Sequence, residues 1–505
     1  MNLESFTLEQ KIGQLFLVGH ADVNVSGDLI NLITKYHVGG ITYTGHQRQN
    51  PKKVAQFSNT IQKYSDQRTP LFISISEDST QSIEGMINLP NKLALGALDN
   101  RLYSKKVAEI VGEQLNNLGI NMIFSPNLNL TKSEANNQYT LFPFGENVKK
   151  VKKHATDMIQ GFRKGKVIPN LNYFPTIEDN GQIHPISEHS LLPFMYAIQQ
   201  GIDILMISHA EEASISPQII KEGLREKIGY EGIIMTDSLE KLTQKNQYEL
   251  HEAAILALKA GADMIYLNES LEKQYATMDA VIKAVKTGEL KEENIDESIR
   301  RILRVKNKYH LSELPTFNHD LVSKTQHIEF AKKLNEQAIT IVKNEVDTLP
   351  LNKSKDTIVL IPATNKTSSK QHELSSEHLL LFNNFLYDYL EHFTSFPLTN
   401  DENLLQACEK AEQIIIPVTD LSNDKSSLLV IKQILQQYND KIVICAFGNP
   451  FGLLEVNEAA TLMLTYDTSL MSMQAMAKVL FHNRRTRAKL PLTLSEQWQI
   501  GHQAK

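Results

Sequence analysis

The sequence predicts an α/β fold, with an N-terminal (β/α)₈ barrel followed by a C-terminal α/β sandwich domain. Short apolar, β-branched runs recur before residue 270, and helix-like segments separate them. Such runs are typical of parallel strands that are buried on both faces. Eight strand–helix units in roughly 300 residues are what a (β/α)₈ barrel requires.

The eight runs are the evidence for the barrel. In order they are IGQLFLVG (12–19), GGITYT (39–44), PLFISIS (70–76), INMIFSP (120–126), VIPNLNYF (167–174), ILMISH (204–209), GIIMTD (232–237) and MIYLNE (264–269). A doubly wound open sheet is the alternative fold. No GxGxxG or P-loop glycine pattern follows any of these runs, which favours the barrel.

The helix predicted to close the barrel is "ENIDESIRRILRVKNKY" (293–309). Its isoleucines and leucine form one apolar stripe at helical spacing, at positions Ile295, Ile299, Ile302 and Leu303. Asn294 and Glu297 stand at the separation of a capping box. The segment therefore predicts an amphipathic helix with one face against the barrel.

The pattern changes after this helix. Residues 310–327 are polar and interrupted by Pro315, which is typical of a linker. Strand-like runs then resume at TIVLIP (357–362), QIIIPVT (413–419), KIVICAFG (441–448) and LMLTY (462–466). The predicted domains are a barrel over 1–312, a linker over 313–328 and a layered α/β domain over 329–505.

Composition narrows the range of functions. The chain has 505 residues and a net charge of −6, which gives no reason to expect nucleic acid as a partner. Its two cysteines lack metal-ligand spacing, and no metal or cofactor is expected. The start of the chain has no signal-peptide pattern, and no apolar run is long enough to span a bilayer. We therefore expect a cytoplasmic protein.

Polar residues at the ends of the predicted strands are the candidates for chemistry, because barrel sites lie at the carboxyl ends of strands. Asp237 closes the run GIIMTD, where a carboxylate would face a bound substrate. The alternative is that Asp237 or Ser238 caps the following helix. His209 ends the preceding strand and either contacts a substrate or is a buried, hydrogen-bonded histidine.

Several segments together resemble glycoside hydrolase family 3, in particular its bacterial β-N-acetylglucosaminidase branch. They include KIGQLFLVG, LPNKLALGALDN, EQLNNLGINMIFSPNLNL, FPFGENVKKV, SPQIIKEGLREKIGYEGIIMTDSLE, AGADMIYL and GELKEENIDESIRRILRVKNKY. The segment NEQAITIVKNEVDTLPL resembles the opening of the family's second domain. The resemblance implies a retaining mechanism in which an aspartate forms a glycosyl-enzyme and a separate group acts as acid and base. Asp237 matches the nucleophile.

Other positions depart from the family pattern. The branch carries a loop resembling KHFPGHGDTxxDSH, and its Lys-His pair corresponds here to Asn172 and Tyr173. The following Gly-His corresponds to residues 176–177, which are Thr-Ile, and no Asp-Ser-His follows. The family's sugar-binding aspartate falls at Ser76 and its sugar-binding arginine at Phe142. The resemblance thus implies a degenerate site whose substrate-contacting positions are Ser76, Phe142, Asn172, Tyr173 and His209.

Two functions are open at this stage. One is a catalytically silent binding or regulatory protein on the hexosaminidase framework. The other is an active retaining β-N-acetylhexosaminidase or other exo-glycosidase, in which Glu178, Asp179 or His184 replaces the acid/base. The implied ligand is a carbohydrate or muropeptide-type small molecule, which would suit cell-wall recycling, or else an unidentified protein partner.

Overall fold

The structure is a computed structural model of the chain. It describes residues 3–45, 49–128, 144–174, 188–208, 210–243, 248–362, 376–399, 401–419, 421, 424–482 and 486–504. The chain divides into two compact units. The first comprises Met1–Ile87, Arg101–Leu130 and Val151–Lys324; the second comprises Asn88–Asn100, Thr131–Lys150 and Thr325–Lys505. The second unit therefore includes a segment between the third and fourth barrel strands.

The first unit contains a closed barrel of parallel strands in the order β1 to β8. The strands are β1 (Phe16–His20), β2 (Gly40–Tyr43), β3 (Phe72–Ser76), β4 (Met122–Asn127), β5 (Ile168–Phe174), β6 (Ile204–Ile207), β7 (Ile233–Ser238) and β8 (Met264–Leu267). Each strand pairs in parallel with the next, and β8 closes on β1. The predicted barrel is confirmed.

The helices follow the strands along the chain. They are α1 (Leu8–Gly13), α2 (Gly27–Thr34), α3 (Pro51–Tyr64), α4 (Lys92–Leu98), α5 (Arg101–Asn117), α6 (Val148–Lys164), α7 (Glu188–Gln199), α8 (Glu240–Thr243), α9 (Leu250–Ala260), α10 (Leu271–Lys286), α11 (Glu292–Lys308), α12 (His319–Val322), α13 (Thr325–Ala338), α14 (Ser376–Leu386), α15 (Glu402–Lys410), α16 (Lys425–Tyr438) and α17 (Leu470–Phe481). Short 3₁₀ segments and one π-helix, Gln218–Lys227, complete the connections.

The first predicted strand began too early. Its opening residues lie in α1, which starts at a capping box formed by Thr7 and Gln10. The Thr7 hydroxyl accepts from the Gln10 amide at 3.2 Å, and the Gln10 side chain accepts from the Thr7 amide at 3.0 Å. These two bonds satisfy amides that would otherwise lack partners at the start of a helix. The chain becomes a strand only at Phe16.

The last barrel helix matches its predicted stripe. The apolar positions of α11 are buried, including Ile295 and Ile299. The predicted capping box was wrong, because α11 begins after Lys291 without a side-chain cap. The apolar periodicity therefore located the helix, whereas the spacing of two polar residues did not locate its first turn.

The second unit is built on a six-stranded sheet in the order β11-β10-β12-β13-β14-β9, with β9 antiparallel to β14. Its strands are β9 (Thr340–Asn344), β10 (Thr357–Pro362), β11 (Thr394–Leu398), β12 (Gln413–Val418), β13 (Ile442–Phe447) and β14 (Thr461–Thr465). Two separate buried clusters cover the two faces of this sheet. The layered α/β fold predicted for the C-terminal part is confirmed.

Two of these strands escaped sequence prediction. β11 is an edge strand with mostly exposed side chains, and β9 is only half-buried. Neither forms the continuous apolar run that marks a strand buried on both faces. None of the helices in the described ranges combines the length and apolar character needed to cross a bilayer.

Candidate active site

Asp237 lies near the carboxyl end of β7, a strand whose residues are all buried. The Asp237 side chain is only 6% exposed, and its Oδ1 accepts from the Ser238 amide at 2.8 Å. This bond lies within the strand, whereas the next helix, α8, begins at Glu240. The geometry therefore puts the carboxylate at the end of the barrel where (β/α)₈ proteins carry their sites.

Tyr266 of β8 is a neighbour of Asp237 inside the barrel. Its ring contacts Phe124 of β4 edge-on, with 5.7 Å between the ring centroids. Because β4 and β8 stand on opposite sides of the barrel, this contact crosses the interior. Burial raises the pKa of Tyr266, and the nearby Asp237 carboxylate and Tyr173 phenol raise it further. The phenol therefore stays protonated beside the carboxylate.

Tyr266 and Phe124 are not among the site residues predicted from the sequence. Both lie inside apolar runs, where an aromatic residue is ordinarily part of the core. Only the contact across the barrel shows that they form the aromatic lining next to Asp237. The only available signal was weak: each residue is the single aromatic residue of its run.

Ser76, at the end of β3, uses its hydroxyl locally. Its Oγ lies 2.7 Å from the Ser79 hydroxyl and accepts from the Ser79 amide at 3.3 Å. The next residue, Glu77, accepts from the fully buried Ser125 hydroxyl, with 2.6 Å between Oε2 and Oγ. A carboxylate is thus present at this strand end, one position after the place where the resemblance implies an aspartate.

Two buried asparagines lie in β5. Asn170 is completely buried and Asn172 is 6% exposed. Within the described residues, three side-chain atoms here have no hydrogen-bond partner: the Oδ1 and Nδ2 of Asn170 and the Oδ1 of Asn172. The Asn172 carbonyl accepts from the Leu128 amide at 3.1 Å, so the backbone there is anchored. A buried polar atom that stays unpaired costs about 1–3 kcal/mol.

Five sequence-predicted positions lie outside the described residues. They are Phe142, Glu178, Asp179, His184 and His209. The structure therefore brings together Asp237 and Tyr173 through Tyr266. Ser76 and Asn172 lie near the carboxyl ends of β3 and β5, the strands on either side of β4. In the ranges that can be described, no three His, Cys, Asp or Glu side chains come together as a metal site.

A closed barrel with a buried carboxylate and polar groups at the carboxyl ends of its strands defines a (β/α)₈-barrel protein with a candidate site at that end of the barrel. The model of the glycosyl hydrolase family 3 N-terminal domain matches residues 7–305. The chain belongs to glycoside hydrolase family 3.

Relatives within the family include β-hexosaminidases. The chain is 25% identical over 388 residues to Beta-hexosaminidase A of Pseudoalteromonas piscicida, covering 66% of this chain and 64% of that protein. It is 25% identical over 327 residues to Beta-hexosaminidase LpqI of Mycobacterium tuberculosis, covering 59% of this chain and 82% of that protein. The chain thus spans slightly less than two thirds of the Pseudoalteromonas protein.

A solved structure resembles nearly the whole chain. It is a glycoside hydrolase family 3 β-N-acetylglucosaminidase from Paenibacillus sp. str. FPU-7, with 26% sequence identity and a TM-score of 0.85. The superposition covers 97% of this chain and 99% of that one. The two-domain architecture is therefore shared.

Proposed function

We propose that this chain is a catalytically silent member of glycoside hydrolase family 3 that binds a ligand or regulates a partner. The observation that carries this proposal is the local hydrogen bonding of the Ser76 hydroxyl. The position that resembles the family's sugar-binding aspartate holds a hydroxyl engaged with Ser79. A hydroxyl in a local turn lacks the charge with which a carboxylate holds several sugar hydroxyls.

The neighbouring positions support the same proposal. Where the resemblance implies a Lys-His pair, the chain has Asn172 and Tyr173, which carry no positive charge. Phe142 stands in place of a sugar-binding arginine, and Ile177 in place of a histidine. Each change removes a charged hydrogen-bonding group, so together they weaken the grip on a pyranose.

Of these departures from the family pattern, the missing general acid has the largest effect on the rate of glycoside cleavage. A glycosidic oxygen must be protonated as its bond breaks, and loss of a general acid costs about 10²–10⁴ in rate. This corresponds to roughly 3–5 kcal/mol of barrier. Weaker binding of the sugar in the transition state raises the barrier further. Asp237 alone then leaves natural glycosides uncleaved.

The second candidate is an active retaining β-N-acetylhexosaminidase or other exo-glycosidase with an altered substrate. The buried Asp237 at the carboxyl end of β7 favours it, because the nucleophile position is retained. Glu178, Asp179 or His184 would then act as the acid/base. In retaining enzymes that use two carboxyls, as the Glu178 and Asp179 alternatives would, the two groups lie about 5–5.5 Å apart across the site. For either candidate we propose a carbohydrate or muropeptide-type ligand, or a protein partner, in the cytoplasm.

Incubation with an aryl N-acetyl-β-glucosaminide separates the two candidates. Such a leaving group needs little protonation, so even an acid-deficient enzyme with an intact nucleophile would release the phenol. For the silent protein we expect no turnover, no glycosyl adduct on the intact protein by mass spectrometry, and an Asp237→Asn variant indistinguishable from the parent. By calorimetry we expect N-acetylglucosamine to bind weakly or not at all.

The control is Asp279→Asn, which removes a carboxylate from the surface helix α10. Turnover in the parent and in Asp279→Asn that disappears in Asp237→Asn would overturn the silent proposal. The same result would establish the active glycosidase, and Glu178→Gln, Asp179→Asn and His184→Gln would then identify its acid.

A further inference from the structure

The second unit contains a cleft between α13, the end of α17 and residues 486–487. Its volume is about 500 Å³, which lies within the range of small-molecule sites in proteins. All the lining residues belong to this unit, so the cleft is independent of the barrel. It is large enough for a small metabolite.

Four cations line the cleft: Lys332, Lys333, Lys478 and Arg487. The carboxylates that line it are Glu329 and Glu336. The excess positive charge contrasts with the net charge of −6 of the chain as a whole. The cleft is therefore a local concentration of positive charge on an acidic protein.

Ion pairs within the cleft neutralise only part of its positive charge. Lys478 pairs with Glu336, whose side chain is mostly buried. The three other cations, Lys332, Lys333 and Arg487, are exposed and form no ion pair with any described residue. Lys332 and Lys333 both stand one helical turn from a carboxylate of α13, at the spacing where pairs form. Within the part of the chain that the structure describes, both lysines nevertheless lack an ion-pair partner.

The wall that carries Arg487 is fixed to α13. The amides of Arg487 and Ala488 both donate to the Gln337 carbonyl, at 3.4 and 3.2 Å. The Gln503 side chain also donates to the Thr486 carbonyl and hydroxyl, each at 3.0 Å. The backbone of Arg487 is thus held opposite the lysines.

We propose that this cleft binds a small oxyanion with at least two negative charges, carried by phosphate or carboxylate groups. Arg487 offers a planar pair of donors that matches a phosphate or carboxylate, whereas Lys332 and Lys333 act as point charges. Val479 supplies an apolar surface beside them. The cleft lies in a different unit from the barrel, so the outcome of its test does not depend on the function proposed for the barrel.

Calorimetry with the full chain at constant ionic strength tests the proposal. Inorganic pyrophosphate and citrate are the probes, which separate phosphate from carboxylate recognition, and chloride is the monovalent reference. We expect at least one probe to bind more tightly than about 1 mM. Arg487→Gln should weaken that binding about tenfold or more, because a charged hydrogen bond is lost.

Two variants distinguish binding of the anion in the cleft from its nonspecific electrostatic attraction to the protein surface. Lys355→Gln removes one positive charge from an exposed part of the same unit and should leave the affinity unchanged. Glu329→Gln removes a lining carboxylate and should raise the affinity, which a merely unfolded variant could not do. The proposal is overturned if neither probe binds, or if Lys355→Gln weakens binding as much as Arg487→Gln.

Discussion

The Ser125 hydroxyl donates to the Glu77 carboxylate across 2.6 Å and joins the carboxyl ends of β3 and β4. Ser125 is completely buried, so this bond connects the barrel interior to a charged group at its mouth. The carboxylate that survives beside the Ser76 position is therefore held by the barrel wall. Its bond is the first feature of the site that mutation can test.

We expect Ser125→Ala to lower the free energy of unfolding by about 1.5–3 kcal/mol, the usual contribution of a hydrogen bond to a charged group. Urea denaturation measures it. The matched control is Ser426→Ala, because the Ser426 hydroxyl donates to Asp424 at 2.8 Å on the surface. Surface changes of this kind alter stability by about 0.5 kcal/mol or less. Equal effects for both variants would mean that the bond to Glu77 is not special.

For Asn170, whose side-chain amide has no partner among the described residues, we expect substitution to stabilise the protein. Replacing Asn170 with Leu removes two unpaired buried atoms and keeps a similar shape, so the free energy of unfolding should rise by about 1–3 kcal/mol. The control is Asn121→Leu at the start of β4. The Asn121 Oδ1 accepts from the Ile73 amide at 2.8 Å, and its Nδ2 donates to the Leu71 carbonyl at 3.0 Å.

We expect Asn121→Leu to destabilise the barrel, because the Ile73 amide loses its partner and the Leu71 carbonyl keeps only the Gln62 side chain, at 3.1 Å. Thermal and urea unfolding of both variants give the comparison. If Asn170→Leu is as destabilising as Asn121→Leu, the Asn170 amide has a partner in solution. In that case the contrast drawn from the structure is wrong.

These residues also show what a sequence can and cannot predict about such a site. The apolar runs located the barrel strands to within a few residues, because burial on both faces leaves a direct compositional signal. The position of Asp237 near the carboxyl end of β7 was predictable, because the run GIIMTD locates this strand. The unpaired state of Asn170 was not, because pairing depends on which atoms of other strands come within reach. The edge strand β11 was missed because exposure removes the apolar signal.

Asp263 is a buried charge with several partners in the barrel. Its carboxylate is fully buried and accepts from the Ser298 hydroxyl at 2.8 Å and the Ile234 amide at 2.8 Å. It also pairs with Arg301 at 3.0 Å and with Arg225. Asp263→Asn leaves the largely buried Arg225 guanidinium without an ion-pair partner among the described residues, whereas Arg301 keeps its pair with Glu297 at 3.4 Å. Breaking this buried network should cost about 3–5 kcal/mol.

Glu289→Gln is the control for Asp263→Asn. It breaks the exposed pair between Lys259 and Glu289, whose side chains are about half exposed. Exposed pairs contribute about 0–1 kcal/mol. Comparable losses in the two variants, measured by urea unfolding, would show that the Asp263 network is not the buried support inferred from its geometry.

Lys306 gives a prediction about pH. Its ammonium group is buried, donates to the Gln14 side chain at 2.7 Å and the Gly39 carbonyl at 2.8 Å, and lies 4.8 Å from the Phe72 ring centroid. Burial lowers the pKa of Lys306 well below its usual value. Between the two pKa values the unfolded chain binds more protons than the native protein. The free energy of unfolding therefore rises with pH in this window, up to the ordinary lysine value near 10.4.

Replacing Lys306 with Met removes this titration and keeps an unbranched apolar chain in the same space. We expect the stability of the parent relative to Lys306→Met to increase with pH by up to about 1.4 kcal/mol per pH unit, the limit for one proton. Urea unfolding between about pH 7 and 10 measures the difference. Lys355→Met, at an exposed position, should show no such slope. A flat difference for Lys306→Met as well would mean that Lys306 keeps its ordinary pKa, because its hydrogen bonds and the Phe72 ring compensate for burial.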